Sequence, residues 1–97
     1  MEYRLWITVP AMPFEAEELW EPFIERMETR HGKLGPVLTW DGKGGTIVIV
    51  SADTDNEAHA VAKGVDAIAE ALNATGLGDH YPASVEIELA EPELQAA

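Results

Sequence analysis

Thr46-Ile47-Val48-Ile49-Val50-Ser51 is the stretch on which the fold turns. It reads as a strand, and Ile47 to Val50 are apolar on both of its faces. Central strands bury the most surface, so this run predicts a strand in the middle of a sheet. Just before it stands Asp41-Gly42-Lys43-Gly44-Gly45. Glycine supplies the positive-φ positions that tight hairpins need, so this segment predicts a turn joining the run to a partner strand, Val37-Leu38-Thr39-Trp40.

Just after the run, Thr54-Asp55-Asn56-Glu57 has the form of a capping box, with Thr54 as N-cap and Glu57 at the third helical position. The helix it opens carries Ala58, Val61, Ala62, Val65, Ile68, Ala69 and Leu72 as one apolar stripe, expected to face the core. Gly76 is placed to end it, with Leu77 positioned for the hydrophobic contact of a Schellman cap. Ala60, Gly64, Ala67 and Ala71 form a second stripe of small residues, expected to pack closely against the other helix. Glycine costs about 1 kcal/mol relative to alanine inside a helix, so Gly64 asks for a close neighbour.

Farther out, Glu2 to Val9 alternates. Tyr3, Leu5, Ile7 and Val9 share one face, and Arg4, Trp6 and Thr8 the other, which predicts a half-buried strand. Pro10 and Pro13 punctuate the loop that follows. Ala16, Leu19, Trp20, Phe23, Ile24, Met27 and His31 then recur at helical spacing. Acidic residues crowd the start of that helix, Arg26 and Arg30 lie near its end, and Gly32 is the expected stop. Pro22 predicts a kink or a late start near Leu19. A last alternating strand places Val85, Ile87 and Leu89 opposite Glu86 and Glu88.

Strands near 2–9, 36–41, 45–51 and 84–90, with helices near 14–31 and 55–75, give the order β-α-β-β-α-β. With right-handed crossovers this predicts a ferredoxin-like sandwich: a four-stranded antiparallel sheet, order 4-1-3-2, with both helices on one face. The resemblance is one of topology. Residues 1–90 are read as one α+β domain and 91–97 as a frayed tail.

Six Lys and Arg against eighteen Asp and Glu leave a net charge of −12. Nucleic-acid binding draws its affinity from neutralising phosphates with basic side chains, so that partner is not expected. Anionic membrane surfaces are disfavoured for the same reason. A cationic protein is the compatible kind of charged partner. The chain has no cysteine, which excludes disulfides, thiolate metal sites and cysteine nucleophiles. No leader and no bilayer-spanning run is read, and the expectation is a cytoplasmic protein.

Several groups of residues invite chemistry. Gly42-Lys43-Gly44-Gly45 has the composition of a phosphate loop, but such a loop must open a helix, and here a strand follows. Asp53, Asp55 and Glu57 suggest a calcium loop, yet Ala58 and Gly64 stand where an EF-hand needs glycine and glutamate. The topology is expected to bring His31, Asp53 and His59 together, all competent zinc ligands. Their spacing matches no known ligand set, so no metal and no cofactor is expected there. Asp79-His80-Tyr81-Pro82 is expected to gather with Asp41 and Lys43 at the opposite end. No serine, cysteine or orienting group completes a nucleophile constellation, and no catalytic residue is assigned.

The open face of the sheet is the best candidate surface. Arg4, Trp6 and Thr8 are expected on it from the first strand, Val37 and Thr39 from the second, and Glu86 and Glu88 from the last. Leu38 and Trp40 are expected to turn inward. An apolar centre with a charged rim marks interaction sites. The expectation is a small, acidic, non-catalytic binding or assembly module, a homodimer through this face. The alternative is a dimeric α/β-barrel-type enzyme or ligand-binding protein with a pocket between paired sheets. A barrel pocket calls for a titratable group on its inner surface, and the face offers only Arg4 and the edge acids.

Overall fold

The computed structural model describes residues 1–10 and 12–90. Within it, the alternating segment Glu2–Val9 forms strand β1, with Tyr3, Leu5, Ile7 and Val9 buried. Trp6 and Thr8 are half-buried on the other side, because successive strand residues point to opposite faces. Helix α1 spans Glu17–His31, β2 Val37–Trp40, β3 Thr46–Asp53, α2 Glu57–Ala74 and β4 Ser84–Leu89. The chain is therefore α+β, with one open, antiparallel, four-stranded sheet in the order β2-β3-β1-β4. Read from the other edge, this is the expected order 4-1-3-2. The apolar run lies in β3, between β2 and β1. The expected tail, 91–97, lies outside the described residues. No helix among the described residues is long and apolar enough to cross a membrane.

One buried cluster joins Leu5, Ile7, Val9, Val48 and Val50 of the sheet to Phe23 and Met27 of α1 and Ile68 and Leu72 of α2. Complete burial of such a side chain contributes about 1.5–3 kcal/mol. The core-facing stripe of α2 differs from the expected one. Ala60, Gly64, Ala67 and Ala71 are buried together with Ile68 and Leu72. Ala58 and Ala62 are exposed, and Val61, Val65 and Ala69 are half-buried at the flanks. Gly64 faces the sheet rather than α1. A Cβ at Gly64 would lie 3.1 Å from Ile7 Cδ1 and 3.3 Å from Val50 Cγ2. The large side chains of β1 and β3 fill the space, and the helix must be smooth where it crosses them.

The helix ends also refine the reading. The N-cap of α2 is Asn56, whose Oδ1 accepts from His59 N at 2.9 Å. Thr54 is not the cap; its hydroxyl donates to the Asn56 carbonyl. The other end is a Schellman cap: Gly76 has φ +79° and Leu77 N donates to Leu72 O at 2.8 Å. Gly32 does not stop α1 by a left-handed turn. It stays right-handed and opens a short 3₁₀ turn, Gly32–Leu34, which Gly35 ends at φ +59°. Pro22 is accommodated on the exposed side of α1, whose helical backbone starts at Glu17. Leu19, expected in the core stripe, is exposed, while Trp20 stacks on Phe14 at 6.2 Å and donates Nε1–H to its carbonyl.

The 41–45 segment is the expected hairpin. Asp41 Oδ1 accepts from the amides of Lys43 and Gly45, so the carboxylate organises the turn. Gly45 is pressed against Pro10: a Cβ there would sit 2.8 Å from the Pro10 carbonyl oxygen. Thr46, buried beside it, donates its hydroxyl to Met12 O at 2.8 Å and leaves no orphan polar group.

Candidate functional site

The open face is built by register. Across the middle of the sheet, Val37 pairs with Ile49, Ile49 with Trp6, and Trp6 with Glu86. One row along the strands, Thr39 pairs with Ile47, Ile47 with Thr8, and Thr8 with Ser84. On the other side of the middle row, Ser51 pairs with Arg4 and Arg4 with Glu88. Pairing and pleat together put all of these side chains on one face. Every residue expected there, Arg4, Trp6, Thr8, Val37, Thr39, Glu86 and Glu88, is on it.

The face is graded. Val37, Ile49, Ile47 and Trp6 make an apolar strip over β2, β3 and β1, and the acids lie along the β4 edge. Trp6, Ile47 and Ile49 are half-buried, yet none of them belongs to the buried core or packs against it. Val37 is 55% exposed. Arg4 is exposed and, among the described residues, forms no ion pair, although it stands opposite Glu88. Leu38 turns toward the core, as expected. Trp40, also expected to turn inward, pairs with buried Thr46 but is 57% exposed at the end of the outer strand β2.

The histidine neighbourhood forms only in part. His31 and Asp53 line one groove, together with Arg30, Lys33, Lys63 and Asp66, of about 870 Å³. His59 does not line it and is exposed on the first turn of α2. His31 does not meet the terminal carbonyls of its helix. Its Nε2–H donates to Glu70 Oε1 of α2 at 2.8 Å. Arg26 donates to the same carboxylate through Nε and Nη2. The hydrogen bond from Arg26, followed by that from His31, lowers the Glu70 carboxyl to about 2. The same bond raises Arg26 above its ordinary value. This group clips the two helices together. Asp53 accepts instead from the Met1 ammonium at 3.0 Å.

At the other end of the strands, register places Ile47 and Ser84 on either side of Thr8, so the hairpin and the 79–83 loop share that end. Asp41 is engaged by its own turn, and no side-chain hydrogen bond among the described residues links the two loops. Arg30, Lys33 and Lys63 escaped the sequence reading. They come from three separate elements with no spacing to connect them, and only the topology brings them to one groove. No family model matches the chain, and comparisons with curated proteins and with solved structures find no match.

Proposed function

We propose that this protein is a small, non-catalytic binding or assembly module that works through the open face of its sheet, with a second copy of itself as the partner. The observation that carries the reading is the apolar strip Val37–Ile49–Trp6, flanked by Ile47, which stands outside the core. Apolar patches with polar rims mark interaction sites. Tryptophan is the residue most often found as an energetic anchor in interfaces. The rim supports the choice of partner. Among the described residues Arg4 forms no ion pair, and it lies beside the acids Glu86 and Glu88, so the face carries both halves of a charge pair. A two-fold interface uses the same patch twice, and each cross-pair would form twice.

The ferredoxin-like assignment belongs to the same reading. The element order β-α-β-β-α-β and the sheet order support it, and that architecture leaves one sheet face for a partner. Like net charge opposes self-association, but salt screens it over about 8–10 Å. Native mass spectrometry of material purified from its source tests the proposal by reporting oligomeric state and retained ligand together. Two chains and no small molecule are expected. A single chain that retains a small molecule would overturn it.

A further inference from the structure

A second surface is the outer margin of β4, which lies in the plane of the sheet and not on its face. β4 ends the sheet on the side of β1. Ala90 N donates to Glu2 O at 2.8 Å and Thr54 N to Met1 O at 2.9 Å, so the even residues of β1 bond toward β4 and the odd ones toward β3. Ladder bonds alternate along an antiparallel strand. Glu86 and Glu88 therefore turn their peptide groups toward β1, and Val85, Ile87 and Leu89 turn theirs outward. No strand among the described residues receives those outward groups.

Native proteins blunt an edge strand by brevity, proline, lysine or a bulge. β2, the other outer strand, has four residues. β4 has six, with no proline or lysine and an unbroken register against β1. Its one protecting device is the pair Glu86 and Glu88, both exposed and, among the described residues, in no ion pair. That device is selective. If β4 of a second copy paired with it antiparallel about Ile87, Glu86 of each would face Glu88 of the other, and like charges directly opposite are destabilising. A basic strand meets attraction at the same two positions. On the core side of β4, Val85 and Ile87 are half-buried against the core and Leu89 is 49% exposed, so an apolar side chain set beside Ile87 would extend that packing.

We propose that this margin binds an extended segment of another protein in which basic and apolar residues alternate, laid antiparallel to β4. The main chain of that segment pairs with Val85, Ile87 and Leu89, as in strand addition generally. Two basic residues fall opposite Glu86 and Glu88, at the non-hydrogen-bonded positions where facing side chains come closest. An apolar residue falls opposite Ile87. The net charge of −12 draws such a segment toward the molecule.

Titration of the full chain with the end-blocked peptide Thr-Lys-Val-Lys-Thr, followed by amide hydrogen exchange in NMR, tests this. The amides of Val85, Ile87 and Leu89 should exchange freely before peptide is added and become protected in the complex. Those of Glu86 and Glu88, already turned to β1, should not change. N-methylation of the peptide's valine removes a pairing N–H and should weaken binding roughly tenfold or more. N-methylation of a lysine, whose N–H points away from β4, should change it little. Glu86→Gln combined with Glu88→Gln should weaken binding about tenfold and leave the circular dichroism unchanged. Equal binding of the two methylated peptides, saturable binding that leaves Val85, Ile87 and Leu89 unprotected, or no saturable binding would overturn the proposal. Protection of those amides before peptide is added would overturn it too, by showing that residues 91–97 or a second copy hold the margin. Oligomeric state, read separately by native mass spectrometry, bears on the open face and not on this margin.

Discussion

Arg4 stands directly opposite Glu88 in the β1–β4 register, yet the two form no ion pair within their own chain. Both lie at the rim of the apolar strip centred on Trp6 and Ile49. If the strip is the contact between two copies, each Arg4 is available to an acid of the partner. Arg4→Glu should weaken the dimer about tenfold, since two exposed pairs of up to about 1 kcal/mol each are replaced by repulsion. Glu88→Arg alone should also weaken it, and the double exchange should restore it. Lys43→Glu changes the net charge equally but lies in the hairpin, and should have little effect. Sedimentation equilibrium on the four variants reads the outcome. Equal weakening by Arg4→Glu and Lys43→Glu would mean that only net charge matters.

The contact between Gly64 and the sheet leads to a stability prediction. Gly64→Ala gains about 1 kcal/mol of helix propensity but must displace Ile7 Cδ1 and Val50 Cγ2 by a few tenths of an ångström. The two effects oppose, and the variant should be within about 1 kcal/mol of wild type. Gly64→Leu has no such balance and should lose about 1–3 kcal/mol by overpacking. Urea unfolding of both measures this. A harmless leucine would show that the small stripe does not face the sheet.

That stripe also marks where the sequence stopped being legible. The double-sided apolar run of β3 placed that strand in the middle of the sheet but left open which of its residues share the open face, until register gave Ile47 and Ile49, whereas the alternation of Glu2–Val9 put Arg4, Trp6 and Thr8 there. A strand has only two faces, so alternation leaves nothing to choose. The helix α2 is apolar over much of its circumference, and hydrophobicity alone ranked Val61 and Val65 above Gly64 and Ala67. The true core face is the one whose shape complements Leu5, Ile7 and Val50, and shape is not written in a hydropathy pattern. The cap moved from Thr54 to Asn56 for a similar reason, since both residues are good caps two positions apart. The groove was invisible because tertiary structure alone unites Arg30, Lys33 and Lys63.

The Arg26–Glu70–His31 clip gives a pH dependence of definite sign. The Glu70 carboxyl falls from the ordinary 4.5 to about 2 in the folded chain. Its contribution is therefore complete above the unfolded value and is lost as pH falls through the folded one. Glu70→Gln should be less stable than wild type at neutral pH, and the difference should shrink between 4.5 and about 2. Thermal unfolding of both proteins across that range measures it. A gap that stays constant with pH would show that the carboxylate is not held by Arg26 and His31.

The central claim is that the Trp6 face joins two copies of the chain, and sedimentation equilibrium of wild type and Trp6→Glu over a range of sodium chloride tests it most directly. Wild type should run as a dimer that tightens as salt is added, because screening relieves repulsion between two chains of net charge −12. Trp6→Glu should run as a monomer at every salt concentration while keeping the helical circular dichroism of α1 and α2. A wild type that stays monomeric at high protein concentration and high salt, or a Trp6→Glu variant that still dimerises, would contradict the account.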